Sequence, residues 1–218
     1  MSARVRCPRC QRPATRCYCA QLPSHALQNH WPVTILQHPQ ESRHALGTAR
    51  IAQLGLSACN LLDATTDTIA EDLAGQRVAL IYPGVDSQPL AILHDQPPQR
   101  LLFIDATWRK SRRLLLESPF LSALPRYHLE ALPPSRYRIR KEPRSDALST
   151  LEAVVYALGC VERRPDKYLP LLRVMDWLID EQIEGMGADT FTKNYFARNR
   201  FARNNLPTDD RFDPTRHE

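Results

Sequence analysis

Glycine is scarce in this chain, with 7 among 218 residues. Neither G-x-G-x-x-G nor G-x-x-x-x-G-K-[ST] occurs. The phosphate turn of a Rossmann unit and a P-loop are therefore both excluded. A nucleotide-type cofactor has to be held some other way. Long apolar runs are also missing. No stretch reaches the roughly 18 residues of a membrane-spanning helix, and the N-terminus lacks the apolar core of a secretory signal. The expectation is a cytoplasmic protein with no membrane span. There is no internal repeat and no low-complexity tract. Proline, in contrast, is plentiful at 18 residues, placed mostly between periodic segments as loop punctuation.

A chain of 218 residues with 43% hydrophobic content can bury a real core, and it fits one domain with appendages. Residues 1–31 are rich in Cys and Arg and lack apolar periodicity. They read as a separate N-terminal segment. A catalytic domain is expected over 32–200, and a basic, polar tail over 201–218. Short apolar runs at 32–37, 59–64, 77–84, 100–106 and 126–132 read as strands. Segments 41–57, 107–118, 147–163 and 167–186 read as helices, with Pro170 tolerated in a first turn. This alternation predicts an α/β fold around a mostly parallel buried sheet. Nothing in the sequence fixes the oligomeric state; a monomer is the simpler expectation.

Four cysteines lie in "CPRCQRPATRCYC", as Cys7, Cys10, Cys17 and Cys19. The spacing C-x2-C-x6-C-x-C gives two close pairs that can share one tetrahedral Zn2+. A piece with no core of its own would then take folding energy from the metal. Redox-active or degenerate thiols are the other reading. A zinc deaminase is excluded, because H-x-E followed by P-C-x-x-C is absent. Cys59 and Cys160 stand in apolar contexts and read as core residues.

The net charge is only +5, but it is clustered. In "LLFIDATWRKSRRLLLES", residues 101–118, a strand ends on Asp105 and a basic helix follows. Stepping at 100° per residue puts Arg109, Lys110, Arg112 and Arg113 on one arc. Leu114, Ser111, Leu115 and Trp108 fall on the other, facing the sheet. Four like charges on one arc welcome a polyanion; a solvated helix face is the plainer reading. Asp105 sits at the carboxyl end of its strand, where parallel sheets bind ligands. It can equally serve as an N-cap. A second basic run, "SRYRIRKEPR", holds Arg136, Arg138, Arg140 and Lys141. It leads into Ser149-Thr150-Leu151-Glu152, which fits a capping box at a helix N-terminus suited to an anion.

Taken together these segments resemble the DTW-domain family. "DATW" at 105–108 is similar to its D-x-T-W signature. "HPQESRHALGTAR" at 38–50, "YPG" at 82–84, "STLEA" at 149–153 and the Cys-rich N-terminus match further family segments in order, over roughly residues 5–195. One departure is Ala45-Leu46-Gly47, where the family usually has Asn-Thr-Gly. The resemblance implies a fold like that of the SPOUT methyltransferases, with a trefoil knot that holds S-adenosylmethionine. It also implies transfer of the 3-amino-3-carboxypropyl group from that co-substrate to N3 of a variable-loop uridine in tRNA, releasing methylthioadenosine. Asp105, Thr107 and Trp108 would then be catalytic. Pro83, Gly84, Ser149, Thr150 and Glu152 would bind the co-substrate. Arg43, Arg109, Lys110, Arg112, Arg113, Arg136, Arg138, Arg140 and Lys141 would bind tRNA. A SPOUT-type RNA methyltransferase and a non-catalytic zinc-ribbon RNA-binding protein are the alternative readings.

Overall fold

The computed structural model describes residues 5–42, 47–64, 69–139 and 148–192. Arg43, Arg140, Lys141 and the expected tail lie outside the described residues.

Strand β1 (Val33–Gln37) is followed by the short helix α1 (Pro39–Ser42), helix α2 (Ala49–Gly55) and strand β2 (Cys59–Asp63). Helix α3 (Ile69–Asp72), strand β3 (Val78–Ile81) and a two-residue strand β4 (Gln88–Pro89) come next. Strand β5 (Arg100–Asp105) leads into helices α4 (Trp108–Glu117) and α5 (Pro119–Ala123), then strand β6 (Arg126–His128). Helices α6 (Thr150–Val161), α7 (Leu169–Met186) and α8 (Ala188–Phe191) complete the described chain. The six strands form one sheet in the order β2-β1-β5-β3-β6-β4, and every pairing is parallel. The fold is therefore α/β, as the alternation of apolar runs and helices requires.

Alternation along the central strands sorts their side chains between two cores. Val33, Ile35, Leu101 and Phe103 face a core shared with α2, α6 and α7. Leu36, Leu80 and Leu102 face the opposite core, with Leu115 of α4 and Leu121 of α5. Both faces are covered, which is why the strands read as continuous apolar runs rather than as alternating ones. Each fully buried Leu or Ile contributes roughly 1.5–3 kcal/mol. The same alternation decides where polar residues at the strand ends point. Ile104 joins the core under α4, so Asp105, one residue on, faces the α6 side.

Helix α6 begins where the sequence places its cap. Ser149 accepts from the Glu152 backbone N–H, and Glu152 accepts from the Ser149 N–H. Helix α7 carries Pro170 in its first turn and stops at Gly187, whose φ of 82° suits glycine. The expected strand over 126–132 ends at His128. Beyond it Ala131 adopts a positive φ of 48°, and Pro133 and Pro134 have no N–H to pair. Strand β4 was not legible: it is two residues long and carries a proline, as only edge strands do. The Cys-bearing segment docks on the body. Cys10 and Tyr18 are buried in the same core as α2, α6 and α7, and the Arg16 guanidinium lies against α7, donating to the Glu181 carbonyl. Among the described residues no helix is long and apolar enough to cross a membrane.

Helices α2 and α7 pack where Gly55 meets Leu171. A Cβ on residue 55 would overlap a Leu171 methyl carbon, and Leu171 is fully buried. Gly55→Ala should destabilise the protein by about 1–3 kcal/mol through overpacking. Urea unfolding would register this as a lower midpoint at unchanged slope. An unchanged midpoint would show that the two helices do not pack there.

Candidate active site and metal centre

Four segments meet at the carboxyl edge of the sheet. They are the ends of β1 and β5, the turn after β3, and the start of α6. Gln37 and Asp105 are Cα partners on adjacent strands, so both side chains leave the same face. The Gln37 amide donates to Asp105 Oδ2 at 2.8 Å. The Thr150 hydroxyl donates to Asp105 Oδ1 at 2.5 Å. The Asp105 backbone carbonyl accepts from the His38 N–H at 3.0 Å. These two side-chain donors, one on each oxygen, orient the carboxylate. Asp105 is not the N-cap of α4. That position belongs to Thr107, whose side chain makes no cap hydrogen bond and which is exposed.

Trp108 departs from the expected sheet-facing position. It is 48% exposed and meets the Tyr82 ring edge-on, with centroids 5.6 Å apart and planes at 67°. The Tyr82 hydroxyl and the Ser111 hydroxyl lie 3.2 Å apart, and Ser111 is buried. One edge of the indole is thus fixed while much of it faces solvent. Pro83 and Gly84 follow Tyr82 in an exposed turn. Ser87 closes this turn, donating to the Gly84 carbonyl at 2.7 Å and lying 2.9 Å from His128 Nδ1.

The residues expected to bind the co-substrate are partly committed elsewhere. Glu152 is fully buried. Its carboxylate accepts from the Ser135 hydroxyl at 2.9 Å, the Arg136 N–H at 2.6 Å and the Ser149 N–H at 2.7 Å. It fastens the loop at 135–136 onto α6, and that is the work the geometry assigns to it. The Ser149 hydroxyl accepts from the Glu152 N–H and contacts Met175 Sδ at 3.3 Å. Thr150 is the member of the set that reaches Asp105.

The basic residues divide in a similar way. Arg109 and Arg112 project from α4 into solvent. Lys110 pairs with Glu41 of α1 at 2.9 Å, and Arg113 with Glu117 at 2.7 Å. Arg136 and Arg138 pair with Asp176 and Asp180 of α7. Their charge is therefore compensated locally. The balancing acids come largely from α1 and α7, which a helical wheel drawn on α4 alone cannot reveal. Sequence reasoning also missed Gln37. Its one signal was an amide side chain at the carboxyl end of a largely apolar strand.

The four N-terminal cysteines come together. All their sulfurs lie within 4.8 Å of one another, with Cys7 to Cys19 and Cys10 to Cys17 both at 3.7 Å. Tetrahedral thiolate coordination at about 2.3 Å separates sulfurs by about 3.8 Å, so the set fits a four-coordinate metal ion. The backbone N–H groups of Cys10 and Arg9 point at the Cys7 sulfur and favour its thiolate, whereas burial and the neighbouring thiols raise Cys19 in the absence of a metal. Cys59 and Cys160 lie outside this group. Burial pushes the Cys59 thiol up to about 12.

These geometries can be set beside known proteins. The DTW domain model matches residues 4–183. The chain belongs to the DTW-domain family. It is 31% identical over 202 residues to tRNA-uridine aminocarboxypropyltransferase 2 of Drosophila melanogaster, covering 88% of this chain and 80% of that one. It is 28% identical to the Mus musculus protein of the same name, covering 95% and 74%. It is 26% identical to tRNA-uridine aminocarboxypropyltransferase A of Arabidopsis thaliana, covering 72% of each. No solved structure matches the chain. The matched DTW region takes in both the cysteine cluster and the Asp105 site.

The metal centre makes a direct prediction. Elemental analysis of the purified protein should find one tightly held metal ion per chain. Cys17→Ser should lose it, whereas Cys59→Ser and Cys160→Ser should keep it. A Cys17→Ser protein with undiminished metal content would dismiss the cluster as a ligand set.

Proposed function

We propose that this protein transfers the 3-amino-3-carboxypropyl group of S-adenosylmethionine to N3 of a variable-loop uridine in tRNA, with zinc as the metal of the four-cysteine cluster. The observation that carries the reading is the Asp105 carboxylate. It is held by Gln37 and Thr150 beside a half-exposed Trp108 at the head of a basic helix. The names of the relatives, transferases that act on tRNA uridine, supply the reaction class.

The uridine N3–H is a weakly acidic imide, so it must lose a proton before it can attack. Asp105 accepts that proton as general base. Gln37 and Thr150 fix the plane of the carboxylate that meets the ring. Trp108, steadied by Tyr82, stacks on or walls the uracil. N3 then bonds to Cγ of the methionine chain, the Cγ–S bond breaks, and its electron pair stays on sulfur in methylthioadenosine. Three carbons are bonded to the sulfonium sulfur, and position alone decides which of them is attacked. Pro83, Gly84, Ser149, Thr150 and the start of α6 form the co-substrate side, within the knotted core that the family resemblance implies. Glu152 holds that wall in shape. Arg109, Lys110, Arg112 and Arg113 face tRNA from α4. Arg136 and Arg138 bear on tRNA only by exchanging their α7 partners, and Arg43, Arg140 and Lys141 complete the proposed set. The zinc is structural in this reading, because a closed set of four thiolates leaves no open coordination position.

Incubation of the protein with tRNA and S-adenosylmethionine should release methylthioadenosine and give aminocarboxypropyluridine on mass spectrometry of nucleosides. S-adenosylhomocysteine as the product would instead identify a methyltransferase. Asp105→Asn removes the base and replaces one of the oxygens that accept from Gln37 and Thr150 with an amide donor. Single-turnover rates should fall by about 10²–10⁴, the usual span for loss of a general base, with tRNA binding little changed. The defect should shrink as pH rises, since hydroxide then ionises the imide unaided. A near-normal rate would end the assignment, and a pH-independent defect would leave Asp105 essential but not as the base.

A further inference from the structure

Beside Gln37 and α1 lies a cleft of about 360 Å3, in the usual range of roughly 300–1,000 Å3 for ligand sites. Arg6, Arg12 and Arg16 of the Cys-bearing segment line it, with Arg50 of α2, Gln37 and Glu41. Separate parts of the chain thus bring four guanidinium groups to one concavity.

Its arginines outnumber its anions, which are Glu41 and, once the metal is bound, the thiolate cluster that reaches the lining through Cys10. Glu41 is the sole carboxylate among the described lining residues, and it is already paired with Lys110. Arg16 is partly balanced by Glu181 at 3.7 Å. Tyr18, which is 1% exposed, lines the same concavity as Arg12 and Arg50. Cations gathered in one concavity are stabilised by an anion, and the guanidinium fork matches phosphate in geometry as well as charge. A sulfonium or an ammonium is the wrong guest here.

The cleft is connected to the active site. Gln37 lines it and also donates to Asp105. Helix α1 and its flanks divide it from a broader groove, where His38 and Gln40 face Arg109, Lys110 and Arg113. A strand whose base reaches Asp105 therefore has basic walls on both sides of α1.

We propose that the arginine cleft between the Cys-bearing segment and α2 is a phosphate site for RNA, gripping the backbone of the strand whose base is presented at Asp105. The assignment rests on the RNA part of the function proposed above. It gives the Cys-bearing segment a role in substrate binding, since that segment carries Arg6, Arg12 and Arg16 to the rim of the site.

The test uses the full-length, metal-loaded protein and a fluorescently labelled tRNA transcript titrated at several salt concentrations. The double variant Arg12→Gln/Arg50→Gln should flatten the plot of log K against log salt by about 1.4–1.8, since each lost phosphate contact removes about 0.7–0.9. Near 0.1 M salt its affinity should fall roughly 25–60-fold. Metal content and melting temperature establish that the variant is folded. If it is not, Arg50→Gln alone, which leaves the Cys-bearing segment intact, should still remove about 0.7–0.9 of slope. An unchanged slope in a folded variant overturns the proposal. So does a variant that keeps its tRNA affinity but binds S-adenosylmethionine more weakly, which would assign the cleft to the co-substrate carboxylate. A wild-type protein that binds tRNA but transfers nothing sinks the proposed reaction, while the slope still decides the cleft. Absence of any salt-dependent tRNA binding by the wild type sinks both.

Discussion

The Asp105 carboxylate joins three parts of the chain that are distant in sequence. It closes β5, accepts from Gln37 at the end of β1, and accepts from Thr150 at the start of α6. Each donor is presented by a regular element, so the carboxylate's position follows from strand register and helix placement rather than from a loop. Sites built on such elements hold their geometry better than loop-borne ones. The same point fixes the start of α6, and through the capping box and Glu152 it fixes the loop at 135–136. Displacing Asp105 would therefore disturb the proposed co-substrate wall as well as the proposed base.

Electrostatics set a second constraint. The chain's net charge is small, yet its cations are unevenly compensated. Arg136 and Arg138 are matched by acids of α7, whereas the cleft that gathers Arg6, Arg12, Arg16 and Arg50 has Glu41 as the sole carboxylate among its described lining residues. What matters for a polyanion is this residual pattern, not the count of basic residues in a segment. Folding the Cys-bearing segment against α7 builds one border of the arginine cleft, so metal binding and the shape of that cleft are linked.

Much of the architecture was legible in the sequence because both faces of the sheet are covered. Central strands such as Val33–Gln37 and Arg100–Asp105 then appear as nearly uninterrupted apolar runs. The α6 cap was legible because Ser149 and Glu152 stand at the spacing that the reciprocal bonds require. The four cysteines were legible because close pairing is itself the chemistry. The exposure of Trp108 was not, since a helical wheel cannot know that Tyr82 meets the indole from a neighbouring strand's turn. Nor was the partnership of Gln37, which exists only through the pairing of β1 with β5. Glu152 shows a third kind of limit. Sequence identifies a capping residue, but only the fold shows its carboxylate buried and shared among three donors.

The setting of Trp108 has an optical consequence. Of the three tryptophans, Trp31 is buried in the core and Trp177 packs partly against it. Trp108 alone stands open to solvent. Its indole is steadied along one edge by Tyr82 and emits from a wet environment. The red edge of the protein's intrinsic fluorescence therefore belongs to a single side chain at the mouth of the site, and arrival of a nucleobase there can be followed without any label.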